Sequence, residues 1–253
     1  MKNVDLAEKY NSVYKNDSLK FYSFNTFPES KLILDMLDRW NGLRVLEIGC
    51  GEGRLAAMMS FAGAEHVDAV DYSEEAVKIA RQRIRLDNVH YQCADYRKMT
   101  GTYDVVVLQG VLEHLDEPFI ELKNIIETKL GEDGVVITSS PSFLNPRGYV
   151  WMALQLLFDV PMSLTDLHFL CPFDFEEFSS KNSYKLEFRS TDQDWGSGER
   201  LIIDFQKRLH NALRDANMDN SKVDRFLDWL KKAAPYHGSD AFSGATVAYK
   251  ICR

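Results

Sequence analysis

A short run of branched apolar residues, Leu43–Ile48 (LRVLEI), ends in three closely spaced glycines, Gly49, Gly51 and Gly53. The chain then enters a stretch with helical spacing, Arg54–Ala62. Glycines placed between a strand and a helix let the backbone turn tightly and approach a ligand. They do so where the unpaired N–H groups of the helix start collect. A dinucleotide fingerprint has the spacing G-x-G-x-x-G. Here the third glycine comes one residue early, and Glu47 and Glu52 add two carboxylates to the loop. A pyrophosphate is poorly served by that charge, whereas a cationic ligand is not.

Beyond the loop, strand-like and helix-like segments keep alternating. His66–Val70 reads as a second strand ended by Asp71, and Ser73 is placed to cap the next helix, with Glu74 and Glu75 in its first turn. That helix carries Ala76, Val77, Ala80 and Ile84 on one face and is expected to break near Asp87 and Asn88. Val89–Cys93, Tyr103–Leu108 and Val135–Ser139 read as three more strands, with a helix from Pro118 to Leu130 before the last. Apolar runs such as Val105-Val106-Val107-Leu108 are what a strand covered on both faces requires. Strands alternating with helices predict right-handed crossovers and an α/β, doubly wound, mostly parallel sheet.

The last third changes character. Lys185–Ser190 and Ala245–Ile251 alternate as strands do, and between them lie two amphipathic helices. The first carries Leu201, Phe205, Leu209, Leu213 and Ala216; the second runs from Ser221 to Ala233 with Val223, Phe226, Leu227 and Leu230 on one face. With no internal repeat and no Gly/Ser linker, the 253 residues read as one domain with helical insertions. Thirty basic against 38 acidic residues leave a net charge of −8, which argues against a nucleic-acid partner. Cys50, Cys93, Cys171 and Cys252 form no C-x-x-C pair and read as free thiols of a reducing compartment. The first residues lack a signal peptide's apolar stretch, and no apolar run approaches the roughly 20 residues of a transmembrane span. The expected location is cytoplasmic.

The string VLEIGCGEG, with an acid ending the second strand and another following the third, resembles the class I S-adenosylmethionine-dependent methyltransferases, in particular their quinone-biosynthesis-like branch. The resemblance covers residues 40–140. It implies a Rossmann-like seven-stranded sheet, a cofactor-binding core over 28–140, and substrate-side insertions over 141–180 and 191–242. S-adenosyl-L-methionine is the implied cofactor, S-adenosyl-L-homocysteine its product, and a small molecule the acceptor. By the same resemblance Glu47, Gly49, Cys50, Gly51 and Gly53 form the cofactor loop, and Asp71, followed by Tyr72, accepts from the ribose hydroxyls. Asp95 and Tyr96 stand beside the adenine, and Gln109 and Gly110 line the methionine end. Each residue also has a plain alternative: Asp71 as a helix cap, Asp95 as a loop acid, the glycines as packing devices.

An oxygen nucleophile is the first expectation for the acceptor, with C-methylation of a quinone-type precursor or cofactor binding without turnover as alternatives. An alcohol or phenol is helped by a general base, for which histidine is the usual choice. The candidates are His168, in a segment where related enzymes often face the substrate, and His114, in the VLEHL that follows the fourth strand; both also suit structural roles. His66, His90, His210 and His237 are weaker. The fourth strand ends in LQGV, which is neither the [DNS]-P-P-[YFW] of amino-methylating enzymes nor the acid of metal-dependent catechol-type relatives, so no metal is expected. The apolar stretch Tyr149–Phe158, too short to span a membrane, reads as a buried core or lid helix, with a wall for an apolar substrate or an interface with a lipid surface as alternatives. Trp151, Phe169, Phe173, Phe175 and Trp195 are candidate pocket aromatics. Tyr10, Tyr14, Phe21 and Tyr22 belong to an N-terminal segment of the kind that closes over the cofactor in relatives.

Overall fold

The computed structural model describes residues 8, 11, 27–160, 166–191, 198–238 and 243–253; Tyr10, Tyr14, Phe21, Tyr22 and Trp195 lie outside them. Seven strands form one sheet in the order β3-β2-β1-β4-β5-β7-β6. They are β1 (Arg44–Ile48), β2 (His66–Asp71), β3 (Val89–Cys93), β4 (Tyr103–Gln109), β5 (Leu130–Pro141), β6 (Lys185–Thr191) and β7 (Thr246–Cys252). β1 runs parallel to β2 and to β4, β2 to β3, and β4 to β5. The described helices are α1 (Phe27–Leu34), α2 (Arg54–Phe61), α3 (Glu74–Arg83), α4 (Pro118–Lys129), α5 (Pro146–Phe158), α6 (Pro172–Asn182), α7 (Glu199–Asp215) and α8 (Val223–Ala233).

The doubly wound expectation holds, because the central strands are covered on both faces. Val105 to Leu108 of β4 are buried throughout, as are Val45 to Ile48 of β1. α3 begins as its sequence dictates: Ser73 Oγ accepts the Ala76 N–H at 3.2 Å. It ends at Arg83 rather than near Asp87, because Ile84 turns to an extended conformation.

The chain divides into two compact units, one of residues 1–140, 175–188 and 248–253, the other of residues 141–174 and 189–247. The first has a core built on Ile33, Met36 and Trp40 from the α1 region together with Val45, Met59, Val67, Val107 and Ile137. The second is helical, and its core gathers Phe143, Trp151 and Val160 with Leu201, Phe205 and Leu209 of α7 and Leu227 and Leu230 of α8.

α5 is not the buried helix that its apolar sequence suggested. It buries only Gly148 and Trp151, while Tyr149, Leu156, Leu157 and Phe158 are exposed. Trp151 is therefore a core residue of the second unit, and Phe175 a core residue of the first, stacked on Tyr249 at 3.7 Å. Phe173 is exposed. All four cysteines are free, Cys50 and Cys171 in buried positions. Among the described residues no helix is long and apolar enough to cross a membrane.

Candidate functional site

The strand order reverses at β1, whose neighbours β2 and β4 carry the chain away in opposite directions. In open α/β sheets such a switch point leaves a crevice at the carboxyl ends of the strands, where ligands bind. The glycine loop follows β1 at that point. The N–H groups of Gly49 and Cys50 donate to the Val70 carbonyl at 2.8 and 3.0 Å, folding the loop back over β2. Two of its glycines are demanded by the protein itself. Gly49 has φ +76°, and a Cβ there would lie 2.5 Å from Cγ2 of Val111. Gly53, at φ +78°, is crossed by the Tyr91 ring, 2.5 Å from where its Cβ would be. Tyr91 also donates its hydroxyl to the Gly53 carbonyl at 3.1 Å.

Asp71 ends β2 with its carboxylate oriented by the loop it serves. Oδ2 accepts the Gly51 N–H at 2.9 Å and Oδ1 the Ser73 N–H at 2.8 Å. Each oxygen keeps a second lone pair. Burial raises its pKa, against those same hydrogen bonds, which pull it down. Asp71 and Tyr72 lie on the wall of a cavity of about 300 Å³ that Gly49, Tyr96, Gln109, Gly110 and His114 also line. Asn11 reaches the same corner, its Oδ1 accepting from Ser73 Oγ at 2.8 Å.

The two loop carboxylates behave differently. Glu52 forms an ion pair with Arg83 and so adds little net charge. Glu47 is 2% exposed, and its Oε2 finds no hydrogen-bond partner among the described residues. Burial first, and the neighbouring charge of Asp71 second, push its pKa up to about 8. Burial first, and then the neighbouring acids Glu47 and Asp71, push the Cys50 thiol pKa well above the ordinary thiol range.

Asp95 follows β3 and is bonded within its own turn. It caps the 3-10 turn Tyr96–Lys98 by accepting the Arg97 N–H at 2.9 Å and pairs with the Arg97 guanidinium at 3.1 Å. It also holds the Tyr72 hydroxyl, whose pKa rises to about 12 through burial and the Asp95 charge. Arg97 and the Tyr96 hydroxyl both bond Glu121, and the guanidinium lies 5.1 Å over the Tyr96 ring. Tyr96 and Arg97 reach the cavity wall, with the Asp95 carboxylate behind them.

At the other end, Gln109 closes β4 and Gly110 follows at φ +61°. The Gln109 amide is bonded to Glu29 and Ser30 of α1, and Glu29 in turn to Ser139 of β5. None of these three partners stood out in the sequence. They lie 79 to 110 residues from the positions they bond, beyond the reach of any spacing rule. Of the histidines, His114 lines the cavity from the 3-10 turn Leu112–His114. His168 is half-buried in the second unit. His66 and His90 lie ring to ring in a tilted pair, centroids 4.7 Å apart. His210 faces Asp224 at 3.4 Å, and His237 is exposed.

Residues 45–128 match the family model described as a methyltransferase domain. The chain is similar to the ubiquinone biosynthesis O-methyltransferase of Neisseria meningitidis serogroup C (strain 053442). Identity is 30% over 183 residues, which are 65% of this chain and 75% of that protein. The protein of the same name from Aromatoleum aromaticum is 38% identical over 96 residues, 34% of this chain; the match spans only 41% of that relative's length. Among solved structures, magnesium protoporphyrin IX methyltransferase from Synechocystis PCC 6803 with bound S-adenosylhomocysteine superposes with a TM-score of 0.57. It shares 20% identity, covering 74% of this chain and 91% of that one.

Proposed function

Since this chain belongs to the class I S-adenosylmethionine-dependent methyltransferases of the quinone-biosynthesis-like branch, we propose that it methylates an oxygen of a hydroxylated small molecule. The observation that supports cofactor binding most directly is the Asp71 carboxylate, fixed by two backbone N–H groups on the wall of the switch-point cavity. Its spare lone pairs suit a ribose diol, whose two O–H groups need charged acceptors. Glu47 behind the loop, its pKa raised by burial and Asp71, would be favoured in its ionised form by a ligand that carries positive charge. The donor set therefore matches S-adenosylmethionine better than it matches a pyrophosphate.

When bound, the cofactor supplies a methyl group made electrophilic by its sulfonium. The residues' own work is to bind, orient and move a proton. Asp71, with Tyr72 beside it, holds the ribose; Glu47 and the Gly49–Gly53 loop take the methionine end with the main chain of Gln109 and Gly110. Cys50 contributes backbone only. Tyr96 walls the adenine, and Asp95 acts there through Tyr72 and Arg97. We assign His114 as the first choice of base for the acceptor hydroxyl because it shares the cavity wall with Gln109 and Gly110. His168 is the second choice. Holding the reactants aligned can supply about 7–11 kcal/mol of the barrier.

The O-methyl reading leans on the Neisseria relative, whose match extends well beyond the cofactor core. The test is calorimetric titration with S-adenosylhomocysteine, with a nicotinamide dinucleotide as control, followed by transfer of a labelled methyl group to a panel of phenols and alcohols. Binding of the first ligand alone and labelled methyl ethers are expected. Label appearing on ring carbon would overturn the oxygen assignment, and binding of neither ligand would overturn the cofactor assignment.

A further inference from the structure

We infer that Glu29 is a positioning residue for the methionine end of the cleft, acting through the side-chain amide of Gln109. The inference rests on the cofactor reading above. Gln109 Nε2 donates to Glu29 Oε2 at 3.1 Å, and Ser30 Oγ donates to Gln109 Oε1 at 3.0 Å. The other Glu29 oxygen, Oε1, accepts from Ser139 Oγ at 2.7 Å. Two successive residues of α1 thus grip both ends of one amide, and the carboxylate ties that grip to β5.

The arrangement is enclosed and its sense is fixed. Ser30 and Ser139 are 1% and 0% exposed, so a polar group left without its partner there has no water to replace it. Gln109 pairs in register with Ser139, and the Gly110 N–H donates to the Ser139 carbonyl at 3.1 Å. Glu29 therefore bonds side chains from both strands at the point where their main chains are also joined, just before Gly110 turns at positive φ. Both polar atoms of the Gln109 side chain are committed to α1. The way Gln109 stands at the cleft wall is therefore set by Glu29.

A carboxylate is the one side chain of this length that accepts on both oxygens. Burial raises the Glu29 pKa while its two hydrogen bonds lower it. Glutamine at position 29 would still be accommodated: the Gln109 amide can turn over, and the Ser30 hydroxyl can then accept instead of donating. Alanine leaves Gln109 and Ser139 facing a void.

The test uses the full chain and binding of S-adenosylmethionine measured by calorimetry, with thermal melts to confirm folding. Glu29→Ala should keep a cooperative melt and bind about tenfold more weakly. Glu29→Gln should recover to within about threefold of the parent. Because Glu29 acts through Gln109, the double variant Glu29→Ala/Gln109→Ala should bind no more weakly than the poorer single variant. Amide exchange over residues 27–34 should slow when S-adenosylmethionine binds the parent, and should not respond in Glu29→Ala. If Glu29→Ala does not fold, Ser139→Ala carries the same test, with a loss of about threefold expected. Parent-like affinity in the alanine variant, or losses that multiply in the double variant, would overturn the positioning role and leave the cofactor reading standing. A parent protein that does not bind S-adenosylmethionine would overturn the cofactor reading and this role with it.

Discussion

Glu47 and Asp204 are both acids at 2% exposure, one behind the glycine loop of the first unit and one in the helical core of the second. Asp204 is fully provided for: Oδ2 accepts the Trp151 indole N–H at 3.0 Å, and Oδ1 accepts from Arg208 at 3.0 Å. Glu47 keeps one oxygen without a partner among the described residues and sits beside another acid, Asp71. A buried acid with its bonds complete holds a structure together, whereas one left short is tolerable where a ligand completes it. Under the proposed function, the same polar burial serves architecture in one unit and cofactor binding in the other.

The largest effect should come from breaking the architectural case. Trp151 is 1% exposed, packs on Phe205 at 5.4 Å and carries the Arg208 guanidinium 4.8 Å over its ring. Trp151→Ala removes a large buried side chain and strips Asp204 of a donor, so a loss of about 3–5 kcal/mol is expected in chemical denaturation. Trp151→Phe should fall between the two. A loss under about 1 kcal/mol for the alanine variant would mean that the second unit does not depend on this pair.

The opposite behaviour is expected at the binding acid. Asp71→Ala should weaken S-adenosylhomocysteine binding by about 1.5–3 kcal/mol, roughly 10- to 150-fold, if its carboxylate holds the ribose. Unlike Trp151→Ala, it should change the unfolding free energy little, because relief of the acid's desolvation offsets the loss of its bonds to the Gly51 and Ser73 N–H groups. An unchanged dissociation constant would reduce Asp71 to a helix cap.

This contrast also explains what was legible in the sequence. β4 was readable because a strand covered on both faces is nearly continuously apolar, as Val105 to Leu108 are, and the glycine loop because positive φ and close approach admit little else. Asp71, Gln109 and Gly110 were placed by their rank along the chain. The roles of Gly49 and Gly53 in accommodating Val111 and Tyr91 were not readable, since those contacts join elements far apart in sequence. The same holds for the Glu29–Gln109–Ser139 bonds. Asp95 was found at its expected position, but its bonds to Arg97 and Tyr72 depend on side-chain directions that spacing does not encode. In the second unit the four-residue steps of α7 predicted its buried face correctly, because periodicity reports burial whatever the burial is for.

Glu47 offers a pH test of the comparison. A carboxyl whose pKa is raised in the folded chain binds its proton more tightly there than when unfolded. Its contribution to stability is complete below about pH 4.5 and is lost as pH rises through about 8. The free protein should therefore lose stability across that window, at up to about 1.4 kcal/mol per pH unit for one proton. Glu29 and Asp71 add in the same direction at the lower end. Glu47→Gln should flatten the upper part of the slope, and saturating S-adenosylmethionine should do the same by favouring the ionised form. A parent and variant with superimposable pH profiles would show that Glu47 is already satisfied in solution.

The smallest effect is expected where sequence and structure differ most. Tyr149, Leu156 and Leu157 lie at i, i+7 and i+8 of α5, spacing that in isolation signals a buried face, yet they are 60%, 73% and 71% exposed. If that face is bare in solution, Leu157→Asp removes no buried apolar area, and stability should change by no more than about 0.5 kcal/mol. If the face is covered, burial of a leucine is worth about 1.5–3 kcal/mol, and the variant should lose a comparable amount. Chemical denaturation at two protein concentrations distinguishes the sources of such a loss, because cover by a second copy makes it concentration-dependent and cover by the chain's own residues does not. The apolar stretch read from the sequence as buried would then be a surface kept for contact, so that α5 would report a partner by its exposed apolar side chains as Glu47 does by its unpartnered oxygen.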